Sequence, residues 1–444
     1  LKIRKPLGTA RLFALGFALI IFLGAVLLNL PVASKSGSIP FLDALFTACS
    51  ATCVTGLSVY DTFTQFTVFG QVVILLLIQI GGLGFMTFAI LLTMAAGRRI
   101  SLAERINVSE AVSAGRLGGV IKLVRRILYG TLIIEGTGAV LLFFRFRTLF
   151  PTGTAIWYGV FHSISAFCNA GFDLMGAVRP GSSFTYFVGD PTVTLTVISL
   201  ILLGGIGFIV WDDVLNSRFH FRRMKLHTKI VLSFSLGIVV IPTLLFLYTE
   251  RSGVYAGMTP GTKVLAALFS AVTPRTAGFN TVDTASLSEA GLLMTVLLMI
   301  IGAGSGSTGG GVKVSTFAAQ LLSVLSYIKG RQDVNIMERR LSQSLCHRAF
   351  CSVLLYVGMA LGAGFVIAAV QPLPLKNILF ECFSALGTVG LSTGITSQLW
   401  VIPKILIILL MYTGRVGSVT VFMAMTVFRN TDAARLPEED IIIG

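Results

Sequence analysis

Phe46-Thr47-Ala48-Cys49-Ser50-Ala51-Thr52-Cys53-Val54-Thr55-Gly56 decides how the chain is read, because its skeleton returns. A Phe, three residues, Ser-Ala, four residues and a Gly recur at Phe161/Ser165/Ala166/Gly171 and at Phe380/Ser384/Ala385/Gly390. A degenerate copy runs Leu268/Val272/Thr273/Gly278. The glycines lie 115, 107 and 112 residues apart, and self-similarity at a steady period outranks any single motif. A second marker follows each first one: Gly81-Gly82-Leu83-Gly84, Gly204-Gly205-Ile206-Gly207, Gly302-Ala303-Gly304 and Gly414-Arg415-Val416-Gly417, at offsets of 25, 33, 24 and 24. Glycine clusters in apolar runs let helices pack closely in lipid. That explains the second marker alone, but not the shared register of the two.

Composition identifies the solvent. The chain is 55% apolar and 12% charged, against roughly 25% charged in a soluble domain. Leu12 to Leu30 is apolar but for Asn29, long enough to cross about 30 Å of hydrocarbon. Lys2, Arg4, Lys5 and Arg11 flank it without a clear small-residue cleavage site, so it reads as a span and not a signal peptide. Of the 34 Lys and Arg, 23 fall in 1–11, 97–126, 215–229, 329–348 and 429–444, and eight in the alternate hydrophilic segments. That bias places both termini and the basic loops in the cytoplasm. The net charge of +15 therefore reflects topology; without aromatic interleaving it does not point to nucleic acid. The six cysteines show no CxxC spacing, which argues against a metal site.

Each unit divides into three parts. Outer helices are predicted at 12–30, 123–144, 230–249 and 349–370, and inner helices at 66–96, 190–214, 288–328 and 399–428. Between them lie short segments, 40–52, 155–167, 262–273 and 375–386, reaching about 18 Å as helices. They cannot span, so each is expected to dip in and return as extended backbone, which membranes tolerate only inside protein or along a watery cavity. The expected fold is an all-α integral membrane protein of four M1–P–M2 pore-loop repeats in pseudo-four-fold arrangement, with eight transmembrane helices and four re-entrant half-helices. Repeat 1 occupies 1–96, repeat 2 123–214, repeat 3 230–328 and repeat 4 349–428. Cytoplasmic loops fill 97–122, 215–229 and 329–348, and a tail covers 429–444.

The return segments carry the chemistry. They read Thr52-Cys53-Val54-Thr55-Gly56, Phe167-Cys168-Asn169-Ala170-Gly171, Pro274-Arg275-Thr276-Ala277-Gly278 and Leu386-Gly387-Thr388-Val389-Gly390. A ring of backbone carbonyls can replace the hydration shell of an alkali cation. Half-helix C-termini add negative partial charge, and glycine takes positive φ cheaply. In the third inner helix, Gly302-Ala303-Gly304-Ser305-Gly306-Ser307-Thr308-Gly309-Gly310-Gly311 makes continuous helix costly at roughly 1 kcal/mol per glycine. A mid-membrane loop over 302–313 is expected. Its Gly304–Gly309 string matches GxGxxG, but no strand precedes it.

These motifs, with Gln79-Ile-Gly-Gly-Leu-Gly-Phe-Met86, Val188-Gly-Asp-Pro-Thr192 and Val272-Thr-Pro-Arg-Thr-Ala-Gly-Phe-Asn280, resemble the Trk/Ktr/HKT superfamily of K⁺ transport proteins over nearly the full length. Eight spans, without the extra helical pair of the TrkH branch, favour the Ktr-type membrane subunits. The resemblance implies K⁺ uptake, with K⁺ held by the carbonyls of Thr55, Gly56, Ala170, Gly171, Ala277, Gly278, Val389 and Gly390. Gly56 points to K⁺, since plant relatives with serine there resemble Na⁺ transporters. Cys53 departs from the threonine common in relatives, which exposes conduction to thiol reagents. The loop is by resemblance the gate, ending at Lys313, with Arg415 a barrier beside it; pairing of Arg415 with an acid is the alternative. Arg275 is expected to turn from the pathway and pair with Asp43, Asp173 or Glu381. Glu135 either packs through a hydrogen bond or meets a coupling ion or a dimer partner.

The resemblance further implies a homodimer and a cytosolic ring of nucleotide-binding RCK subunits (KtrA type) that bind ATP, ADP or NADH. The basic loops would serve for docking or for anionic lipid, and the apolar end Ile441–Gly444 for the dimer interface. No organic cofactor is expected on this chain, and stimulation by Na⁺ is known among relatives. The location implied is a bacterial plasma membrane. A Na⁺-selective or ion-coupled symporter on the same fold is the alternative. An intramembrane hydrolase is remote: HExxH and GxSxG are lacking, and Gly189-Asp190 has no evident partner aspartate.

Overall fold

The computed structural model describes residues 9–84, 120–331 and 333–417. Residues 85–96 of the first predicted inner helix, most of loop 97–122, 418–428 of the last inner helix and the tail 429–444 lie outside the described residues.

Short turns aside, the helices are α1 (Thr9–Asn29), α2 (Phe41–Thr52), α3 (Val68–Leu83), α4 (Val120–Phe146), α5 (Thr152–Phe167), α6 (Pro191–Ile206), α7 (Phe208–Asn216), α8 (Leu226–Thr249), α9 (Pro260–Val272), α10 (Glu289–Ile300), α11 (Val314–Ile328), α12 (Gln343–Val370), α13 (Leu375–Gly387) and α14 (Val401–Val416). A two-stranded hairpin, β1 (Val334–Ile336) and β2 (Arg339–Leu341), lies within the predicted loop 329–348.

Among the described residues three helices, 121–146, 226–249 and 343–370, are each long and apolar enough to cross a bilayer, and the bent pair α6–α7 makes a fourth. The helices α2, α5, α9 and α13 have 12 to 16 residues, about 18–24 Å, and fall short of a span. Proline sets where they begin: Pro40, Pro151 and Pro374 precede α2, α5 and α13, and Pro260 opens α9 behind the cap Thr259. Its locked φ and missing N–H suit the first helical turn. Each short helix packs against the long helix before it, α1 on α2, α4 on α5, α8 on α9 and α12 on α13. The motif phenylalanines Phe46, Phe161 and Phe380 are at most 2% exposed. In the degenerate copy the buried ring is Phe269, one position beyond Leu268.

Residues 190–214 are not one helix as expected. α6 stops at Ile206 and α7 restarts at Phe208, 89° away, with Gly207 between them at φ 107°. α3 and α14 likewise end at glycines of positive φ, Gly84 at 81° and Gly417 at 97°. The second markers also explain close packing. A Cβ on Gly81, Gly204 or Gly414 would stand 1.9, 1.9 and 2.0 Å from the carbonyls of Thr52, Phe167 and Leu386, at or near the ends of the short helices.

Candidate functional site

The four return segments share an unusual backbone. Two residues before each motif glycine, Val54, Asn169, Thr276 and Thr388 have φ of 56°, 61°, 66° and 50°. The glycines Gly56, Gly171, Gly278 and Gly390 stand at 97°, 71°, 80° and 89°. Non-glycine residues dislike that region by roughly 1–2 kcal/mol, so the turn must be held. Thr55, Ala170 and Val389 donate their N–H to the carbonyls of Ser50, Ser165 and Ser384 at 2.8 Å, and Ala277 to Thr273 at 3.0 Å. The hydroxyls of Ser50 and Ser384 accept from the N–H of Gly56 and Gly390 at 3.0 and 3.1 Å. Those of Ser165 and Thr273 donate to the carbonyls of Phe172 and Phe279 at 2.7 and 2.5 Å. The motif serine, found in the sequence without a role, thus pins the segment's N–H side to the helix end.

The segments close into a ring. A Cβ on Gly56 would lie 2.6 Å from the Ala170 carbonyl oxygen, one on Gly171 2.8 Å from that of Ala277, one on Gly278 2.7 Å from that of Val389, and one on Gly390 2.1 Å from that of Thr55. Each glycine faces the oxygen of the next segment, and the fourth returns to the first. Such spacing leaves no room for a side chain at any of the four.

Against this ring lies segment 301–313. Gly309 and Gly310 are so close that a Cβ would stand 2.1 and 2.3 Å from the hydroxyls of Thr276 and Thr388. The Gly310 N–H donates to Thr388 Oγ1 at 3.1 Å, and Thr308 Oγ1 donates to the Phe167 carbonyl at 3.1 Å. Lys313 Nζ donates to the Gly309 carbonyl at 2.7 Å. Arg415 donates to the carbonyls of Thr308, Gly81 and Gly82, tying the end of α3 to the segment; among the described residues no carboxylate pairs with it. A cavity of about 170 Å³, lined by Gly311, Lys313, Tyr356, Leu386 and Thr413 among others, adjoins the segment.

The TrkH cation transport protein family model matches residues 20–434. The chain belongs to that family. It is 41% identical to the Ktr system potassium uptake protein B of Bacillus subtilis, over 98% of this chain and 96% of that one. It is 40% identical to the potassium/sodium uptake protein NtpJ of Enterococcus hirae, over 100% and 99% of the two chains. The crystal structure of the potassium transporter TrkH from Vibrio parahaemolyticus superposes with a TM-score of 0.75 at 18% identity, covering 96% of this chain and 86% of that one. Family membership and the apolar helices together make this a membrane protein.

Behind the ring, the position three before each glycine differs from unit to unit. Cys53 lies 3.8 Å from Cys49, sulfur to sulfur. Cys168 faces Glu135 and Gln79, and the Gln79 amide donates to the Glu135 carboxylate at 3.3 Å. Glu135 is thus hydrogen-bonded within the chain. Arg275 departs from expectation. Its guanidinium, on a residue 4% exposed, donates to the hydroxyl of Ser235 at 3.1 Å, and no carboxylate pairs with it among the described residues. The acids expected for it are engaged elsewhere: Asp43 by Lys404 and Tyr60, Glu381 by Ser392 and Thr396, Asp173 by the N–H of Met175. At the fourth unit Gly387 leaves room for the Tyr356 hydroxyl, 2.9 Å from where a Cβ would be. Asp190, the residue weighed for hydrolysis, caps α6 and pairs with Arg145.

On the opposite side of the ring a cavity of about 380 Å³ is lined by the four glycines and by Asp61, Asp173 and Asp283. Sequence reasoning missed these aspartates as a group, although each of the three follows a motif glycine within five residues. Asp173 lies in the loop after the second segment. Burial, reinforced by the nearby charge of Asp61, pushes its carboxyl up to about 7 against hydrogen bonds from Met175 and Ser183. A carboxyl raised in this way is mostly neutral at about pH 6 and mostly ionised at about pH 8. Cation uptake at limiting concentration is therefore expected to rise about 3-fold across that pH range on the side this cavity faces, since negative charge in a cleft concentrates cations. Asp173→Asn should flatten the profile; an unchanged slope in that variant would assign the dependence elsewhere.

Proposed function

We propose that this chain takes up K⁺ through a single-chain selectivity filter built from four M1–P–M2 repeats around one axis. The observation that carries this reading is the closed ring of Gly56, Gly171, Gly278 and Gly390, each against a neighbour's carbonyl. The N–H groups of Thr55, Ala170, Ala277 and Val389 are held by the short-helix ends, which leaves the oxygens of Thr55, Gly56, Ala170, Gly171, Ala277, Gly278, Val389 and Gly390 for a dehydrated K⁺. Above the ring the acidic cavity gathers cations. Below it the 301–313 segment, with Arg415 and Lys313, is the gate: its backbone stands across the path and its two cations oppose a third. The relatives named potassium uptake proteins of Ktr systems support the ion and suggest that this chain is one subunit of a system.

In this reading the chain sits as a homodimer in a bacterial plasma membrane with both termini cytoplasmic. A cytosolic ring of KtrA-type subunits, binding ATP, ADP or NADH, works the gate through the basic loops. Na⁺ stimulation, or Na⁺ as a second transported ion, accords with the name of the Enterococcus relative. Purified protein in vesicles should take up Rb⁺ down a gradient, with K⁺ competing and Na⁺ competing at least about 10-fold less. Equal competition by Na⁺ would favour the symporter on the same fold. No uptake with or without a ring subunit would reject both.

A further inference from the structure

A helix that stops inside a membrane leaves its last carbonyls and the next helix's first N–H groups without partners. The break at Gly207 leaves such groups on Gly204, Gly205 and Phe208, and all three are paired by one segment. Gly304 donates its N–H to the Gly205 carbonyl at 2.7 Å, and Thr308 to that of Gly204 at 3.3 Å. Phe208 donates its N–H to the Gly306 carbonyl at 2.9 Å. The fit is tight from both sides. A Cβ on Gly304 would lie 2.1 Å from the Ile206 carbonyl oxygen, and one on Gly207 2.6 Å from that of Ser305. At the end of α3 the corresponding carbonyls, those of Gly81 and Gly82, are paired instead by the Arg415 guanidinium.

We infer that the bend at Gly207 is the seat of the 301–313 segment, and that bent helix and seated segment form one two-state element. Each supplies the other's missing hydrogen bonds, so neither state is stable by halves. When the segment withdraws, Gly204, Gly205 and Phe208 recover partners only if α6 and α7 rejoin as one helix over 191–216. That helix would be about 39 Å long, enough to span. Rejoining swings α7, whose far end runs directly into the exposed cationic turn Arg218–Lys225 and then α8. A partner gripping that turn would hold a lever on the segment. Gly207 is therefore a positioning residue for transport, acting through the segment and touching no ion. The inference rests on the proposed K⁺ uptake.

Gly207→Ala tests it. At φ 107° an L-residue disfavours the bend, and its methyl meets the Ser305 carbonyl. Rb⁺ uptake by vesicles lacking any ring subunit is expected to rise about 10-fold with the apparent K⁺ affinity unchanged. Should that variant not accumulate, a Phe208→Cys, Gly306→Cys pair serves, placed in a chain whose native cysteines are serine. Oxidation should lower uptake at least about 10-fold by keeping the segment seated, and reduction should restore it. Wild-type uptake unaltered by either change would overturn the seat while leaving the transport reading intact. Absence of wild-type uptake would instead strike the transport reading itself.

Discussion

Gly390→Ser is expected to abolish K⁺ uptake, by about 100-fold or more, in protein that still reaches the membrane. Two costs coincide at this position. The residue stands at φ 89°, where a side chain costs roughly 1–2 kcal/mol. Its Cβ would also lie 2.1 Å from the Thr55 carbonyl oxygen and 2.9 Å from the Gly56 Cα. Backbone, not a movable side-chain tip, stands in the way, so the first segment must shift and take its oxygen off the ring. About 1.4 kcal/mol corresponds to tenfold; strain and a displaced oxygen together exceed twice that. Gly171→Ser, with 2.8 Å to its nearest oxygen, should be milder. Rb⁺ uptake measured against the amount of folded protein checks both. Uptake within about 3-fold of wild type for Gly390→Ser would remove the ring from the pathway.

Arg415→Ala is expected to have the opposite sign. The guanidinium holds the Thr308 carbonyl of the 301–313 segment and the Gly81 and Gly82 carbonyls at the end of α3. Hydrogen bonds from a charged donor contribute roughly 1.5–3 kcal/mol each. Losing the one to Thr308 shifts the segment toward withdrawal by at least about tenfold, and removing a cation from beneath the ring lowers the barrier to another cation. Uptake in the absence of a ring subunit should rise about 10-fold or more, and the variant should unfold at lower temperature because two helix-end carbonyls lose their partner. A fall in uptake by well-folded protein would mean that Arg415 aids conduction.

Local chemistry made much of this architecture legible. The short segment predicted at 40–52 is α2 over Phe41–Thr52, and 375–386 is α13 over Leu375–Gly387, because a proline opens and a glycine-bearing turn closes each. The repeated Phe, Ser-Ala and Gly turned out to be, respectively, a buried ring, the hydrogen-bonding anchor and the ring position. Two features were not legible, for physical reasons. Gly204-Gly205-Ile206-Gly207 reads as a packing surface whether or not the helix breaks there; the break is sustained by a segment nearly 100 residues away, and no local signal encodes that. Charge seeks charge, which points Arg275 to an acid, yet Asp43 already holds Lys404 at 2.6 Å. A neutral serine one helix away received the guanidinium instead.

The differing supports behind the four segments have a consequence for how such a molecule can change over time. Where identical subunits surround an axis, every substitution strikes all quarters at once, and an intermediate strength of effect is hard to reach. Here a thiol pair, a carboxylate with an amide, a guanidinium with a hydroxyl, and a tyrosine over a glycine stand at corresponding places. Each quarter can be altered singly, so ion preference can drift in steps a quarter as large, and the field at the centre need not point along the axis.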